Sequence, residues 1–321
     1  MLDCVVLSPI EVIRLYPPHD YTLCGLLASR AQSAGLLLHP AKSYSAFQHG
    51  IDATAGMLLA KGIAPGDRVA VMARNSHEFV LLFFALARVG AIMVPVNPDF
   101  GAREAGYILA HAEVYAVAAS VAAMPAVREA ITEMPRRPWL MLMDGRDSAV
   151  PNFADLIEDP ARVASQITPR ADDTCLILYT SGTTGFPKGV MHSQRNFVMA
   201  GEGFVARMWL QPEDRLLCIL PLFHINALFY SLAGAFAAGA SLALAPRFSA
   251  STFWRTAAES GATQVNVIAA IGNILARRPR SEFDARHRLR VVYGAPISPE
   301  LERVFREEFK VPVVIEGYGM T

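Results

Sequence analysis

The stretch Cys175-Leu-Ile-Leu-Tyr179 runs directly into Thr180-Ser-Gly-Thr-Thr-Gly-Phe-Pro-Lys-Gly189, and this junction decides most of what the chain can be. The apolar part is typical of a buried strand. The polar part carries glycines, which let backbone N–H groups turn toward an anion, and hydroxyl groups that can donate hydrogen bonds. Lys188 adds a positive charge. The pattern predicts a phosphate-binding loop that contains Thr180, Ser181, Gly182, Thr183, Thr184, Gly185 and Lys188.

This loop differs from a Walker A loop, which reads G-x-x-x-x-G-K-[ST] and opens into a helix. Here Pro187 precedes the lysine, and Gly-Val-Met follows it. A surface turn rich in glycine and threonine is the structural alternative. So many hydroxyl groups and a lysine directly after a buried strand favour phosphate binding over that alternative.

The segment from Tyr179 to Val190 resembles the signature loop of the adenylate-forming superfamily, which includes acyl-CoA synthetases, luciferases and the adenylation domains of peptide synthetases. Further segments are similar to family motifs and occur in the family's order. They are Lys61-Gly-Ile-Ala-Pro-Gly-Asp-Arg-Val69, Asn75-Ser76, Gly90 to Asn97, Pro221-Leu-Phe-His-Ile-Asn226, Gly294-Ala-Pro-Ile-Ser-Pro-Glu300 and Glu316-Gly-Tyr-Gly-Met-Thr321. The segment from Leu220 through Glu316 most resembles the carnitine or crotonobetaine-CoA ligase and medium-to-long-chain branch.

The last of these motifs is interrupted, because the chain ends at Thr321. In the family, a magnesium-binding glutamate, a ribose-binding aspartate, a hinge and a small domain with the adenylation lysine come next. We therefore expect residues 1–321 to be an amino-terminal fragment that lacks the small carboxy-terminal domain. Its large domain is expected to contain subdomains of about 63–205 and of 1–62 plus 206–321.

Composition places the chain among globular proteins with a large core. Hydrophobic residues make up 53% and charged residues 18%, which favours deep burial. The apolar stretches Phe79 to Val96 and Leu216 to Ala245 are interrupted by Arg88, Pro95 and His224, among others. A membrane-spanning helix rarely tolerates such interruptions. We expect no transmembrane segment.

Charge and cysteine content argue against further classes. Lys and Arg together number 29, as do Asp and Glu, so no global field favours nucleic acid. The four cysteines lack any C-x-x-C spacing, which favours a reducing compartment without a structural metal site. The amino terminus lacks the basic region of a signal peptide. A cytoplasmic location is expected.

Strand-like and helix-like segments alternate along the chain. Near-continuous apolar strands joined by helices predict parallel sheets that are covered on both faces. With the resemblance, the expected fold is α/β, with two stacked, mostly parallel sheets flanked by helices. Asp144 to Asp173 is the most loop-like segment, and we expect it to be a seam between the two sheets. The predicted strands are Arg68–Met72, Ala91–Val96, Val114–Ala118, Trp139–Met143, Cys175–Tyr179, Arg215–Ile219, Ser241–Leu244, Thr263–Val267, Arg290–Tyr293 and Val313–Ile315.

Four motif segments begin where a predicted strand ends, at Thr180, Leu220, Gly294 and Glu316. In open α/β sheets, ligands bind beyond the carboxyl ends of the strands. Structural glycines would have no reason to gather at that edge. The placement therefore favours a binding site, independently of the resemblance.

The resemblance also implies individual roles. His224 would position a carboxylate and gate the site, and Asn226 and Ala295 would face the acyl group. Arg247 matches a position that some members use for CoA phosphates, although a solvated arginine is an equal alternative. The expected nucleotide-binding residues beyond the phosphate loop are Gly294, Ala295, Pro296, Glu316, Gly317, Tyr318, Gly319, Met320 and Thr321.

Within this set, Tyr318 would stack on adenine, and Thr321 would donate to the α-phosphate and, with Lys188 and His224, take part in catalysis. Two positions depart from the family pattern. Tyr293 stands where the family usually has the first glycine of Gly-Gly-Ala, and Gln194 stands where it often has a second histidine after His192. The first departure affects the shape of the expected pocket.

The resemblance implies an AMP-forming acid–thiol ligase that uses ATP, Mg²⁺, CoA and a small-molecule carboxylic acid, such as a fatty acid. No metal ligand can be assigned within the chain. Two alternatives remain open: an adenylation domain that loads a carrier protein, and a nucleotide-binding fragment without turnover. The identity of the acid and homodimerisation are also left open.

Overall fold

The computed structural model describes residues 6–31, 36–39, 42–158, 166–180 and 186–319. In these ranges the chain forms an α/β fold with two mostly parallel sheets flanked by helices, which confirms the predicted fold class. Each predicted strand overlaps an observed one. The strands are β1 (Leu36–His39), β2 (Lys42–Ser43), β3 (Arg68–Met72), β4 (Ile92–Pro95), β5 (Ala116–Ala119), β6 (Trp139–Leu142), β7 (Thr174–Thr180), β8 (Lys188–Ser193), β9 (Arg215–Cys218), β10 (Ser241–Leu244), β11 (Gln264–Ile268), β12 (Val291–Ala295) and β13 (Val313–Glu316).

The helices between the strands vary from one turn to several. Two segments, Asn226–Leu232 and Val304–Glu308, are π-helices, and Ala250–Thr252 and Arg280–Glu282 are 3₁₀-helices. The α-helices are α1 (Pro9–Arg14), α2 (Leu23–Arg30), α3 (Tyr44–Ala60), α4 (His77–Arg88), α5 (Ala102–His111), α6 (Met124–Ala130), α7 (Phe153–Glu158), α8 (Gln194–Met208), α9 (Ala233–Ala238), α10 (Phe253–Ser260), α11 (Ala269–Arg277) and α12 (Pro299–Arg303).

Contacts between described residues divide the chain into two compact units, and the seven-stranded and six-stranded sheets lie in different units. The first unit contains residues 1–18, 29–44 and 198–320, and the second contains 19–28 and 45–197. The subdomain boundaries expected from the sequence stay a prediction.

The six-stranded sheet of the second unit has the order β6-β5-β3-β4-β7-β8, and only the β7–β8 pair is antiparallel. Strand β3 has β4 on one side and β5 on the other, so the chain changes direction across the sheet there. Helix α4 is buried throughout Phe79–Ala87. Its first turn is capped by Ser76, whose hydroxyl accepts from the Phe79 N–H (3.1 Å).

In the first unit, the sheet has the order β13-β12-β11-β9-β10-β1-β2, with only the β1–β2 pair antiparallel. Strand β9 lies between β10 and β11, which makes its carboxyl end a topological switch point. The loops that follow β9, β10, β12 and β13 share one edge, because parallel strands point the same way. Motif residues therefore gather at this edge, as the strand-end pattern in the sequence predicts.

The opposite, amino-terminal edge of the same sheet is held together by Asp214. Its carboxylate, 5% exposed, accepts from the Gln211 N–H (2.7 Å), the Thr263 hydroxyl (2.7 Å) and the Arg290 Nε–H (2.9 Å). Asp214 directly precedes β9, Thr263 directly precedes β11, and Arg290 directly precedes β12. We call this set the Asp214 network, and it ties three strand starts together.

Two expectations from the sequence are wrong. The Asp144–Asp173 segment links β6 to β7 of one sheet, so it is no seam between the two sheets. Its Asp and Pro content predicts a loop but not which strands the loop joins. Also, the apolar pattern of Ala227–Ala238 predicts one α-helix, whereas the π-helix Asn226–Leu232 precedes α9. No helix within the described residues is long and apolar enough to cross a membrane.

Candidate functional site

The predicted phosphate loop connects the two antiparallel strands of a hairpin. Strand β7 ends at Thr180, β8 begins at Lys188, and these two residues pair across the ladder. The Lys188 side chain is exposed at the carboxyl end of β7. Residues 181–185, which carry the other predicted phosphate ligands, lie outside the described residues. The hairpin thus presents one cation at the edge where parallel α/β sheets bind ligands.

At the corresponding edge of the first unit, an open pocket of about 710 Å³ lies beyond β12 and β13. Gly294 and Ala295 are the last residues of β12, and Glu316 is the last residue of β13. The Glu316 carboxylate accepts a hydrogen bond from the Ile297 N–H (3.2 Å), which fixes the turn after β12. The pocket is lined by Arg207, Ala295, Pro296, Glu316, Gly317, Tyr318 and Gly319. Met320 and Thr321 lie outside the described residues.

Tyr293, the residue at the expected glycine position, fills space behind this pocket. Its ring is 1% exposed and meets Phe204 and Tyr230 edge-on, with centroids 5.5 and 5.6 Å away. A Cβ at Gly317 would lie 2.0 Å from the Tyr293 hydroxyl oxygen, and one at Gly319 would lie 2.8 Å from the Tyr230 hydroxyl oxygen. The backbone of the pocket therefore rests directly on the two tyrosines, which only glycine allows.

Gly294 has a different reason to be glycine. A Cβ there would lie 2.3 Å from Cδ1 of Ile297 and 3.4 Å from Cγ2 of Val267. The absent side chain makes room for Ile297, which follows the cis peptide between Ala295 and Pro296. Gly294 thus allows the Ile297 side chain to pack directly against the backbone of β12.

His224 lies in the loop that follows β9, at the switch point of the seven-stranded sheet. Its N–H donates to the Pro221 carbonyl (3.0 Å), and its ring packs against Phe223. The residue is exposed overall, yet partial burial of the ring lowers the pKa of His224. Since burial disfavours the charged form, the imidazole is neutral at neutral pH and offers one N–H donor and one acceptor.

Asn226 begins the π-helix two residues later, and its side-chain oxygen accepts from the Asn266 amide (2.9 Å). Asn266 also donates to the Ser231 hydroxyl (3.1 Å) and accepts from the Gln264 amide (2.5 Å). A network of neutral polar side chains therefore runs from β11 to the π-helix. Irregular helices of this kind occur often at functional sites.

Comparison with known proteins identifies the family of this chain. The sequence pattern of the family described as AMP-binding enzyme matches residues 38–321. The chain belongs to the AMP-binding enzyme family. The motif residues at the ends of β7, β9, β12 and β13 all fall within the matched range, which confirms the resemblance drawn from the sequence.

Relatives of this chain include CoA ligases. It is 33% identical over 288 residues to a crotonobetaine/carnitine–CoA ligase of Salmonella paratyphi C (strain RKS4594), covering 87% of this chain and 55% of that protein. The inhibitor-bound N-terminal domain of FACL13 from Mycobacterium tuberculosis has a TM-score of 0.82 at 28% identity, covering 93% of this chain and 76% of that one. A fatty acyl CoA synthetase of the same organism has a TM-score of 0.81 at 27% identity, covering 94% of this chain and 60% of that one. The chain thus spans about half the length of the curated relative.

Three positions that the motifs single out have structural surroundings that the sequence could not reveal. Gln194, at the expected histidine position, is 1% exposed; its oxygen accepts from the Leu23 N–H (2.9 Å) and its amide donates to the Ala87 carbonyl (3.3 Å). Its side chain therefore joins α2 to the end of α4. His192 is 7% exposed, and burial lowers its pKa. Arg247 is exposed, three residues beyond β10.

Sequence reasoning missed Arg207, which lines the pocket from the end of α8. Burial raises the pKa of the neighbouring Tyr230, Tyr293 raises it further, and the positive charge of Arg207 opposes the rise. A single arginine near the end of an amphipathic helix carries no signal in sequence. The role of Arg207 follows only from the fold, which places the end of α8 next to the ends of β12 and β13.

Proposed function

We propose that this chain binds ATP and a carboxylic acid as part of an AMP-forming acyl-CoA ligase. The acid's carboxylate would attack the α-phosphorus of ATP, which forms acyl-adenylate and releases pyrophosphate. The CoA thiolate would then attack the acyl carbonyl and displace AMP. The observation that carries the proposal is the gathering of matched motif residues at the carboxyl ends of parallel strands in both units.

Lys188 is the proposed phosphate ligand of the hairpin. Its side chain is exposed, and no carboxylate among the described residues pairs with it. An unpaired ammonium next to hydroxyl-rich chain can neutralise the charge that develops on phosphate oxygens. The proposal extends by motif to Thr180, to residues 181–185 and to Thr321.

In the first unit, the pocket beyond β12 and β13 is the proposed site of the nucleoside. Tyr318 is 81% exposed, so its ring is free to stack on a base. Arg207 adds a guanidinium, whose planar fork suits phosphate oxygens. The neutral His224 would orient the acid by hydrogen bonding, since a neutral ring keeps both a donor and an acceptor.

Mg²⁺ fits this scheme as an ion that arrives with the nucleotide. It retains several waters and binds in such sites through substrate phosphates and one or two carboxylates. Across the described ranges, no three His, Cys, Asp or Glu side chains come together as a metal-binding group. When bound, the ion would neutralise phosphate charge. We assign it no protein ligand and no separate step.

The acid is proposed to be carnitine-like, on the basis of the 33% identical relative, or a fatty acid, on the basis of the structurally similar fatty acyl CoA synthetase. Discrimination between acids that differ by one methylene is worth only about 1–3 kcal/mol. A panel of crotonobetaine, carnitine and fatty acids of increasing length therefore has to be compared by kcat/KM. The acceptor is tested by adding CoA after adenylation.

ATP–pyrophosphate exchange by the protein in its full natural length tests the proposal. Lys188→Ala and Thr184→Ala should each slow exchange by about 10²–10³-fold, the usual cost of one charge-stabilising donor. Lys61→Ala is the matched control, because Lys61 is an exposed lysine of the same unit in the turn after α3. Exchange that survives both substitutions at the wild-type rate would refute the phosphate-loop assignment. Activity without CoA-dependent thioester would point to a carrier protein as acceptor.

A further inference from the structure

Helix α5 presents two aromatic side chains to the hairpin that carries Lys188. Tyr107 and His111 are four residues apart, so they lie one turn above each other on one face of the helix. Their rings stack with centroids 5.5 Å apart and an interplanar angle of 26°. The His111 ring contacts Tyr179 of β7, and the Tyr107 ring contacts Phe186, two residues before β8 begins. The sequence offered no reason to connect α5 with the phosphate loop.

His111 holds the end of β7. Its Nδ1 lies 2.7 Å from the Tyr179 hydroxyl, and the two rings meet edge-on at 5.7 Å. Burial raises the pKa of Tyr179 to about 12, with a further contribution from Tyr107, so the phenol keeps its proton. The Tyr179 ring also lies against Gly189, where a Cβ would be 3.2 Å from Cζ. The ring thus contacts both α5 and β8.

Tyr107 holds the start of β8. Its ring stacks on Phe186 with centroids 5.1 Å apart and an angle of 19°, and its hydroxyl donates to the Pro187 carbonyl (3.1 Å). Phe186 is otherwise largely open to solvent, at 74% exposure. Stacking on Tyr107 holds the Phe186 ring in one orientation. It fixes the chain just before Lys188.

Lys188 is therefore bracketed by contacts with α5. The carbonyl of Pro187, which precedes Lys188, accepts a hydrogen bond from the Tyr107 hydroxyl. Gly189, which follows Lys188, lies against the ring of Tyr179, which His111 contacts. The ladder partner of Lys188, Thr180, follows Tyr179 directly. The lysine side chain stays exposed while its backbone is fixed from both directions. A misplacement of about 1 Å in such a group can cost about 10²-fold in rate.

We propose that Tyr107 and His111 are positioning residues, which set where Lys188 meets the phosphates of the nucleotide. Because Lys188 is the proposed phosphate ligand, the role given to α5 rests on the proposed function. Neither residue needs to touch the nucleotide. Their effect passes through the backbone of the hairpin.

The first test compares Tyr107→Leu, Tyr107→Phe and His111→Gln in ATP–pyrophosphate exchange by the full-length protein. Tyr107→Leu loses both the stack and the hydrogen bond, and we expect the KM for ATP to rise about tenfold while the KM for the acid is unchanged. Tyr107→Phe keeps the stack and should show a smaller rise. Tyr115→Leu is the control, because Tyr115 is a half-buried tyrosine of the same unit whose ring packs under Arg136 (4.6 Å). It should lower thermal stability without changing the KM for ATP.

The second test asks whether the effect passes through Lys188. In a Lys188→Ala background, Tyr107→Leu should weaken ATP binding no further, because the group that it positions is gone. A merely structural role for Tyr107 would weaken both backgrounds by the same factor. Calorimetric titration with MgATP gives this comparison without turnover. Equal factors in the two backgrounds would overturn the positioning role.

The two proposals fail in different ways. If the wild-type protein exchanges pyrophosphate and folded Tyr107→Leu, Tyr107→Phe and His111→Gln variants keep its KM for ATP, the positioning role is wrong and the ligase proposal stands. If the wild type shows no exchange with any acid but binds MgATP less tightly after Tyr107→Leu, the ligase proposal fails and the positioning role stands. Absence of MgATP binding by the wild type would overturn both. Should Tyr107→Leu fail to fold, the milder Tyr107→Phe and His111→Gln variants decide the outcome.

Discussion

Gly317→Ala is expected to lower the free energy of unfolding by about 2–3 kcal/mol. The new methyl group would lie 2.0 Å from the hydroxyl oxygen and 2.4 Å from two ring carbons of Tyr293. To restore an ordinary contact of about 3.4 Å, the hydroxyl would have to retreat by about 1.4 Å. Overpacking of a core costs about 1–3 kcal/mol. The upper part of that range applies, because the rigid ring is 1% exposed and is backed by two further aromatic rings.

Urea denaturation followed by circular dichroism measures this loss, and calorimetry with ATP measures the accompanying effect on the pocket. Gly203→Ala is the matched control in the same unit, since a Cβ there meets nothing within 4 Å. Alanine in an exposed helix interior should stabilise that variant by up to about 1 kcal/mol. Combining Gly317→Ala with Tyr293→Leu should recover part of the loss, because the double variant lacks the clash. If Gly317→Ala unfolds at the same urea concentration as the wild type and binds ATP equally well, the fit between Gly317 and Tyr293 is not as described.

Two further predictions concern stability. Asp214→Ala should lower the free energy of unfolding by about 3 kcal/mol, near the low end for a broken buried pair, because the partner Arg290 is 36% exposed. Urea denaturation should show a much smaller loss for Asp172→Ala, which removes an exposed pair, and equal losses would contradict this role. His287 donates from Nε2 to a carbonyl and accepts at Nδ1 from the Leu289 N–H, and burial lowers its pKa. The neutral form of His287 is favoured in the folded state, so its contribution to stability should be full above a pH of about 6.5. Stability should fall as pH drops below that value, by at most about 1.4 kcal/mol per pH unit. His287→Gln should flatten this slope in thermal melts across pH, and an unchanged slope would refute the assignment.

Much of the fold was predictable because buried parallel strands leave a strong mark in sequence. Each predicted strand is an apolar segment such as Cys175–Tyr179, and each overlaps an observed strand. Strand β8 was missed, since Lys188–Ser193 lies at the edge of its sheet and mixes polar residues with glycine. The π-helix was missed as well, because the apolar pattern of Asn226–Leu232 suits an α-helix equally. Edge strands and helix type depend on neighbours that one segment does not reveal.

The candidate site was predictable where it rests on local patterns and not where it rests on distant contacts. Strand-end placement located Lys188, His224 and the residues after β13 near the carboxyl ends of strands, where α/β sheets bind ligands in general; their role as ligand-binding residues stays a prediction. By contrast, the partnership of Tyr293 with Gly317 joins two strands, and no local rule foresees it. The sequence around His111 has no ligand spacing, and the contact of His111 with Tyr179 depends on the docking of α5. Single residues on helices acquire roles only through packing.

The position of the Asp214 network bears on how this domain can change over evolution. Its bonds join the starts of β9, β11 and β12, whereas His224, Ala295 and Glu316 stand at or beyond the ends of the sheet's strands. Substitutions at sites with no shared partners have nearly additive effects. Loops at one edge can therefore change while the anchoring bonds at the other edge remain intact. Descendants of such a domain are free to diversify in their loops without first acquiring compensating changes in the sheet that carries them.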